Sequence, residues 1–77
     1  MSARLPALCG DAVLRALRKA GFDVIRIKGS HHILEHTTDP TRRTVVSVHA
    51  GQDVKRGLLR KIIDDAGLTV EEFSKLL

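Results

Sequence analysis

The sequence predicts a small α+β domain of two layers, α-β-β-β-α with a short C-terminal helix. Three observations predict it. Apolar residues fall at helical spacing in two separate stretches, "CGDAVLRALRKAGF" and "VKRGLLRKIIDDAG". Between them lie three short runs rich in β-branched residues, "FDVIRIKG", "HHILEHT" and "TVVSVH". The links between these runs are short, which favours antiparallel pairing, and an antiparallel sheet can bury one face under helices while leaving the other to water or a ligand.

Each element has its own signals. Helix one is expected at about residues 10 to 20, where Val13, Leu14 and Leu17, backed by Ala16 and Ala20, form one stripe and Gly21 stands at the C-terminal cap position. Gly29-Ser30 ends the first strand, and the turn-rich "TDPTRR" separates the second from the third. Helix two is expected at about 57 to 66, with Leu59, Ile62, Ile63 and Ala66 on one face and Gly67 as its stop. Thr69 followed by Glu72 is a capping-box signal for a final short helix reaching Leu76-Leu77. This order matches the double-stranded-RNA-binding fold, although order alone does not give function.

A chain of 77 residues is expected to form one domain, 1–77, with too little interior for a sizeable buried cofactor site, and no cofactor is expected. Phe22 and Phe73 are its only aromatic side chains of the Phe, Trp and Tyr class, so aliphatic residues must make the core. That poverty also argues against an aromatic platform for stacking single-stranded bases. Cys9 has no second cysteine to bond and no base near it in sequence, and is read as structural. No apolar run is long enough for a signal peptide or a membrane span, so a cytoplasmic location and no membrane partner are expected.

Charge is distributed unevenly. Residues 1–52 carry eight Lys/Arg against four Asp/Glu, whereas residues 53–77 carry five of each, so the whole excess of +4 lies in the first two thirds. Lys55, Arg56, Arg60 and Lys61 then extend the basic run before Asp64, Asp65, Glu71 and Glu72 take over. A polyanion suits such a distribution.

Three of the four histidines crowd into "KGSHHILEH". His32-Ile33-Leu34-Glu35-His36 has the H-x-x-E-H order of an inverted zinc-peptidase motif, which needs a helix to turn both histidines toward one ion. On a strand, residues four apart are separated by about 13 Å and cannot share a metal. The flanking Gly-Ser and Thr-Thr-Asp-Pro favour a strand, so no metal site is expected. His31 and His32 then point to opposite faces and have different tasks.

The ordered set "GFDVIRIKGSHHILEH", "VVSVHAG" and "KRGLLRKIIDDAGLTVEEF" resembles the HicA (YcfA-like) messenger-RNA interferase toxins of type II toxin–antitoxin systems, over about residues 10 to 77. Two positions depart from the common pattern: Ser47 stands where many members have proline, and Leu58 where they usually have threonine. The resemblance implies a metal-independent endoribonuclease in which the histidine of the Gly-Ser-His motif, here His31, is catalytic. It also implies a HicB-type antitoxin as partner and messenger RNA as substrate.

The chemistry fits. RNA supplies its own nucleophile, the 2′-hydroxyl, so such an enzyme needs a group that moves protons and cationic donors for the phosphorane. His31 is the candidate general acid or base. Arg26 and Lys28, or Lys55 and Arg56 across the fold, are candidates for phosphate contacts; Gly29 and Ser30 allow close approach of the RNA backbone; His49 is either a second site residue or a structural one. His32 and His36 are read as structural or as touching substrate at the rim. Two other classes stand beside the toxin reading, a non-catalytic RNA-binding module of similar fold and a zinc-dependent hydrolase.

Overall fold

In the computed structural model, which describes residues 5–77, the described residues form five strands and three helices. They are β1 (Leu8–Cys9), α1 (Gly10–Lys19), β2 (Phe22–Lys28), β3 (His31–His36), β4 (Arg43–Ser47), β5 (Asp53–Val54), α2 (Arg56–Asp65) and α3 (Val70–Ser74). Strands β2, β3 and β4 form one antiparallel sheet in that order. The α+β architecture of three antiparallel strands between two helices, with a short C-terminal helix, is the one the sequence predicts. A second, two-stranded sheet was not expected from it: Leu8 pairs with Val54 and Cys9 with Asp53. Neither two-residue strand is long enough to show a periodicity.

The sheet presents one buried and one exposed face. Phe22, Leu34, Thr44 and Val46 point inward, where Val13, Leu14, Ala16 and Leu17 of α1 and Leu59, Ile62 and Ile63 of α2 cover them in a single core. Helix α1 carries Asp11 in its first turn and Arg18 and Lys19 in its last, an arrangement that interacts favourably with the helix dipole. Buried Thr44 donates its hydroxyl proton to the Ile62 carbonyl at 3.1 Å, tying β4 to α2. Helix α3 is closed by the expected capping box. The Thr69 hydroxyl accepts from the Glu72 backbone at 3.1 Å, and the Glu72 carboxylate accepts from the Thr69 backbone at 2.9 Å. The bond from the Thr69 backbone amide, followed by the Thr69 side chain, holds the Glu72 carboxyl below its ordinary pKa. Phe73 then seals that corner of the core.

One glycine sets the distance between layers. A Cβ on Gly10 would lie 2.9 Å from Val48 Cγ2 and 3.0 Å from the Ser47 carbonyl, so the first turn of α1 can pack this closely on the end of β4 only without a side chain. Small boundary corrections accompany the helices, which begin and end at or within one residue of the expected positions. The third strand differs more. It stops at Ser47, because after Val48 the chain folds into a turn closed by the Gln52 amide on the His49 carbonyl at 3.1 Å. His49 therefore lies in a loop rather than at a strand end.

Candidate functional site

The link between β2 and β3 is a two-residue hairpin turn, Gly29-Ser30, flanked by the register pair Lys28 and His31. Gly29 has φ +60° while Ser30 does not enter the positive region, the pattern of a type II′ turn, whose twist matches that of the strands. This turn carries His31 to the extreme end of the sheet. Across β3 and β4, His31 faces Ser47, so their Cα atoms stand about 5 Å apart, as directly opposed residues do. The Val48 amide donates to the Ser30 carbonyl at 2.9 Å and fixes the hairpin end against the end of β4.

A bulge in β2 decides which side chains join His31. The register runs Val24 with Leu34 and then Arg26 with Ile33, leaving Ile25 as the extra residue. Without it, Arg26 and Lys28 would share the inward phase of Phe22 and Val24. With it, Ile27 pairs with His32 and turns toward the covered face, whereas Arg26 and Lys28 emerge on the uncovered face beside His31. The apolar spacing 22, 24, 25, 27 carries this phase change in the sequence.

The clustered histidines divide as their alternation predicts. His32, on the covered face, has Nδ1 3.2 Å from the Ser30 carbonyl. His36 stands edge-on to Phe22, with ring centroids 5.2 Å apart, and accepts from the Thr38 amide at 3.2 Å. His31 is exposed and takes part in none of these bonds. Because the segment is a strand, the helical geometry of the H-x-x-E-H motif is not formed. Among the described residues, no three His, Cys, Asp or Glu side chains come together as a metal-binding group.

Beyond Ser47, a groove of about 230 Å³ opens between the end of β4, the following loop and the start of α2. Ser47, His49, Lys55 and Leu58 are among its lining residues. The fold thus brings Lys28, Gly29, Ser30 and His31 together at the hairpin, joins them through Ser47 to His49 and Lys55, and sets Arg26 further along the exposed face. Arg56 is exposed as the first residue of α2 but does not line this groove. Sequence reasoning missed Gln52 and Asp53, which also line it. Their signal was present in Gly51, whose φ of +72° turns the chain back so that the next two residues pass the end of the sheet.

The fold and this end of the sheet define a small α+β protein that displays a histidine among cationic residues on an uncovered sheet surface. The family described as HicA toxin of bacterial toxin–antitoxin matches residues 10–68, and the chain belongs to that family. No curated protein matches it. Membership in a toxin–antitoxin family implies an antitoxin partner. Among the described residues no helix is long and apolar enough to cross a membrane.

Proposed function

We propose that the protein is an endoribonuclease toxin, a messenger-RNA interferase in which His31 transfers protons during cleavage and which a HicB-type antitoxin holds inactive. The observation that carries this reading is the division of the three histidines clustered in β3. His32 and His36 have hydrogen-bonding partners in the fold, whereas His31 stands exposed at the hairpin end with Lys28 as its register neighbour. A group that moves protons must reach substrate, and cations beside it stabilise the charge that develops on phosphorus.

In this reading the 2′-oxygen attacks phosphorus as its proton leaves, the P–O5′ bond breaks, and the 5′-oxygen receives a proton. His31 takes the first proton or delivers the second. Lys28 and Arg26 meet phosphate oxygens from the same sheet face, Lys55 and Arg56 from the start of α2, and Gly29 and Ser30 let the RNA backbone come close. His49 contacts substrate from the groove. No metal is needed for these steps, since the nucleophile belongs to the substrate. The antitoxin covers the His31 surface, where half-exposed Val45 and partly exposed Ile33 add an apolar patch to the charged one.

The test is induced expression and purified-protein cleavage of RNA for wild type and His31→Ala, with excess chelator present throughout. His31→Ala is expected to lose cleavage by about 10² to 10⁴-fold and to lose growth arrest, with an unchanged melting temperature. Undiminished toxicity in a well-expressed His31→Ala protein rejects the catalytic assignment, and wild-type cleavage restored only by added metal rejects the metal-independent chemistry.

A further inference from the structure

The groove beside Ser47 contains more recognition chemistry than phosphate binding needs. Leu58 is 42% exposed at the start of α2, and with Val54 it gives the groove apolar surface. Around it stand the amide of Gln52, the carboxylate of Asp53 and the imidazole of His49. None of these three takes part in a side-chain hydrogen bond or an ion pair among the described residues. Asp53 is the one acid lining the groove, and a carboxylate beside an RNA backbone is repelled by phosphate unless something donates to it. Both Phe side chains are buried, so a base held here has no phenyl ring to stack on and must use the imidazole face and the Leu58 side chain.

We propose that this groove is a subsite for one unpaired nucleobase carrying an exocyclic amine, next to the phosphate cleaved at His31, with Asp53 accepting from the base edge, Gln52 completing the hydrogen bonds, and Leu58 and His49 flanking the ring. The proposal rests on the RNA-cleaving reading above and adds selectivity to it. A carboxylate only accepts hydrogen bonds. Adenine, cytosine and guanine offer it an amino group on the Watson–Crick edge. Uracil offers a single N–H between two carbonyls, which oppose the carboxylate. The adjacency is set by register: Ser47 lines the groove and is also the direct partner of His31.

Asp53→Asn is the informative variant, because it keeps shape, leaves the backbone pairing with Cys9 intact and adds a donor that accommodates a uracil carbonyl. Wild type and Asp53→Asn would each digest a random-sequence single-stranded RNA pool, with the product ends sequenced. In parallel, His31→Ala proteins with and without Asp53→Asn would be titrated with decamers of adenosine, cytidine or uridine. One hydrogen-bonded base edge corresponds to about tenfold discrimination, so uracil should be disfavoured about tenfold at one position near the cut, falling to about threefold or less in Asp53→Asn. Leu58→Ala should weaken all three decamers alike. Unchanged selectivity in Asp53→Asn overturns the subsite, as does a loss of antitoxin affinity without a change in base preference, which would make the groove a protein contact. If wild type fails to cleave while the His31→Ala proteins still show Asp53-dependent base preference, the subsite stands and the catalytic reading falls. Absence of both cleavage and decamer binding removes both.

Discussion

The two ends of the three-stranded sheet treat their polar side chains in opposite ways. At the end holding Phe22, His36 and Arg42, polar groups are bound to the fold. Arg42 donates from Nε to the Ala66 carbonyl at 2.8 Å while its guanidinium lies 5.4 Å from the centre of the Phe22 ring. His36 binds Thr38, Arg43 pairs with Glu35 at 2.7 Å, and the Thr41 hydroxyl bonds the Asp39 carboxylate, which lowers that carboxyl's pKa. At the other end, Lys28, His31, His49, Gln52, Asp53 and Lys55 form no side-chain hydrogen bond or ion pair among the described residues. Polar groups that satisfy one another stabilise a unique arrangement, whereas those left to water remain available to a ligand. Apart from His32, whose Nδ1 lies against the Ser30 carbonyl, the side-chain bonds of the sheet gather at one end and the candidate chemistry at the other.

Mutations at the two ends should separate stability from activity. The largest effect is expected for Phe22→Ala, which empties the inward face where α1, β2 and Arg42 meet. It should cost about 3 to 5 kcal/mol in chemical denaturation, with the cleavage rate per folded molecule nearly unchanged. An equal loss of rate in the folded protein would show that the two ends are coupled. Next is Arg42→Ala, which removes a charge-assisted hydrogen bond and the contact with Phe22 and should cost about 2 kcal/mol, again without a change in RNA affinity.

Thr69→Ala should cost about 1 kcal/mol by opening the cap of α3. Its pH dependence follows from Glu72, whose folded-state pKa is depressed by the Thr69 bonds. A depressed carboxylate stabilises the fold above its unfolded pKa and loses that contribution as pH falls through the folded value. Thr69→Ala keeps the backbone amide that is the larger cause of this shift and removes only the side chain's part. The difference in stability between wild type and Thr69→Ala should therefore narrow slightly in acid, and thermal melts at neutral pH and below the usual carboxylate range would show it. A gap that stays constant would assign the cap's effect to the Thr69 hydroxyl alone.

The smallest effect on stability, within about 0.5 kcal/mol, is expected at the open end for Lys28→Ala. Its mark is electrostatic. If Lys28 neutralises a phosphate, the log–log salt dependence of single-stranded RNA binding by the His31→Ala protein should flatten by about 0.7. Arg15→Ala on α1, away from the hairpin, should flatten it much less. Equal changes at both positions would mean that RNA reads overall charge rather than this surface.

The elements whose signals are local could be read before folding was considered. The stripes of α1 and α2, the Gly29-Ser30 turn and the Thr69–Glu72 box each depend on residues within a few positions of one another, and each occurs where the sequence predicts it. The separation of His31 from His32 was equally local, being strand alternation. Hidden from that reading were β1 and β5, because two-residue strands exist only through a partner more than forty positions away. The groove was hidden for a different reason: Ser47, Gln52, Asp53 and Leu58 are near in sequence but share no periodicity, and only the turn between β4 and α2 sets them around one space.

By itself, then, the sequence determined the element order, the inward stripes and the turn that presents His31, all of which arise from short-range sterics, hydrogen bonding and apolar periodicity, and its ordered motifs carried the family resemblance. Tertiary structure decided which residues stand beside that histidine. The bulge at Ile25 reverses the phase of β2 and brings Arg26 and Lys28 to the His31 face, and the bare Gly10 lets α1 close on the end of β4. The physical reason is that a strand's facing is fixed by its pairing register, and register is set by contacts between segments rather than within them.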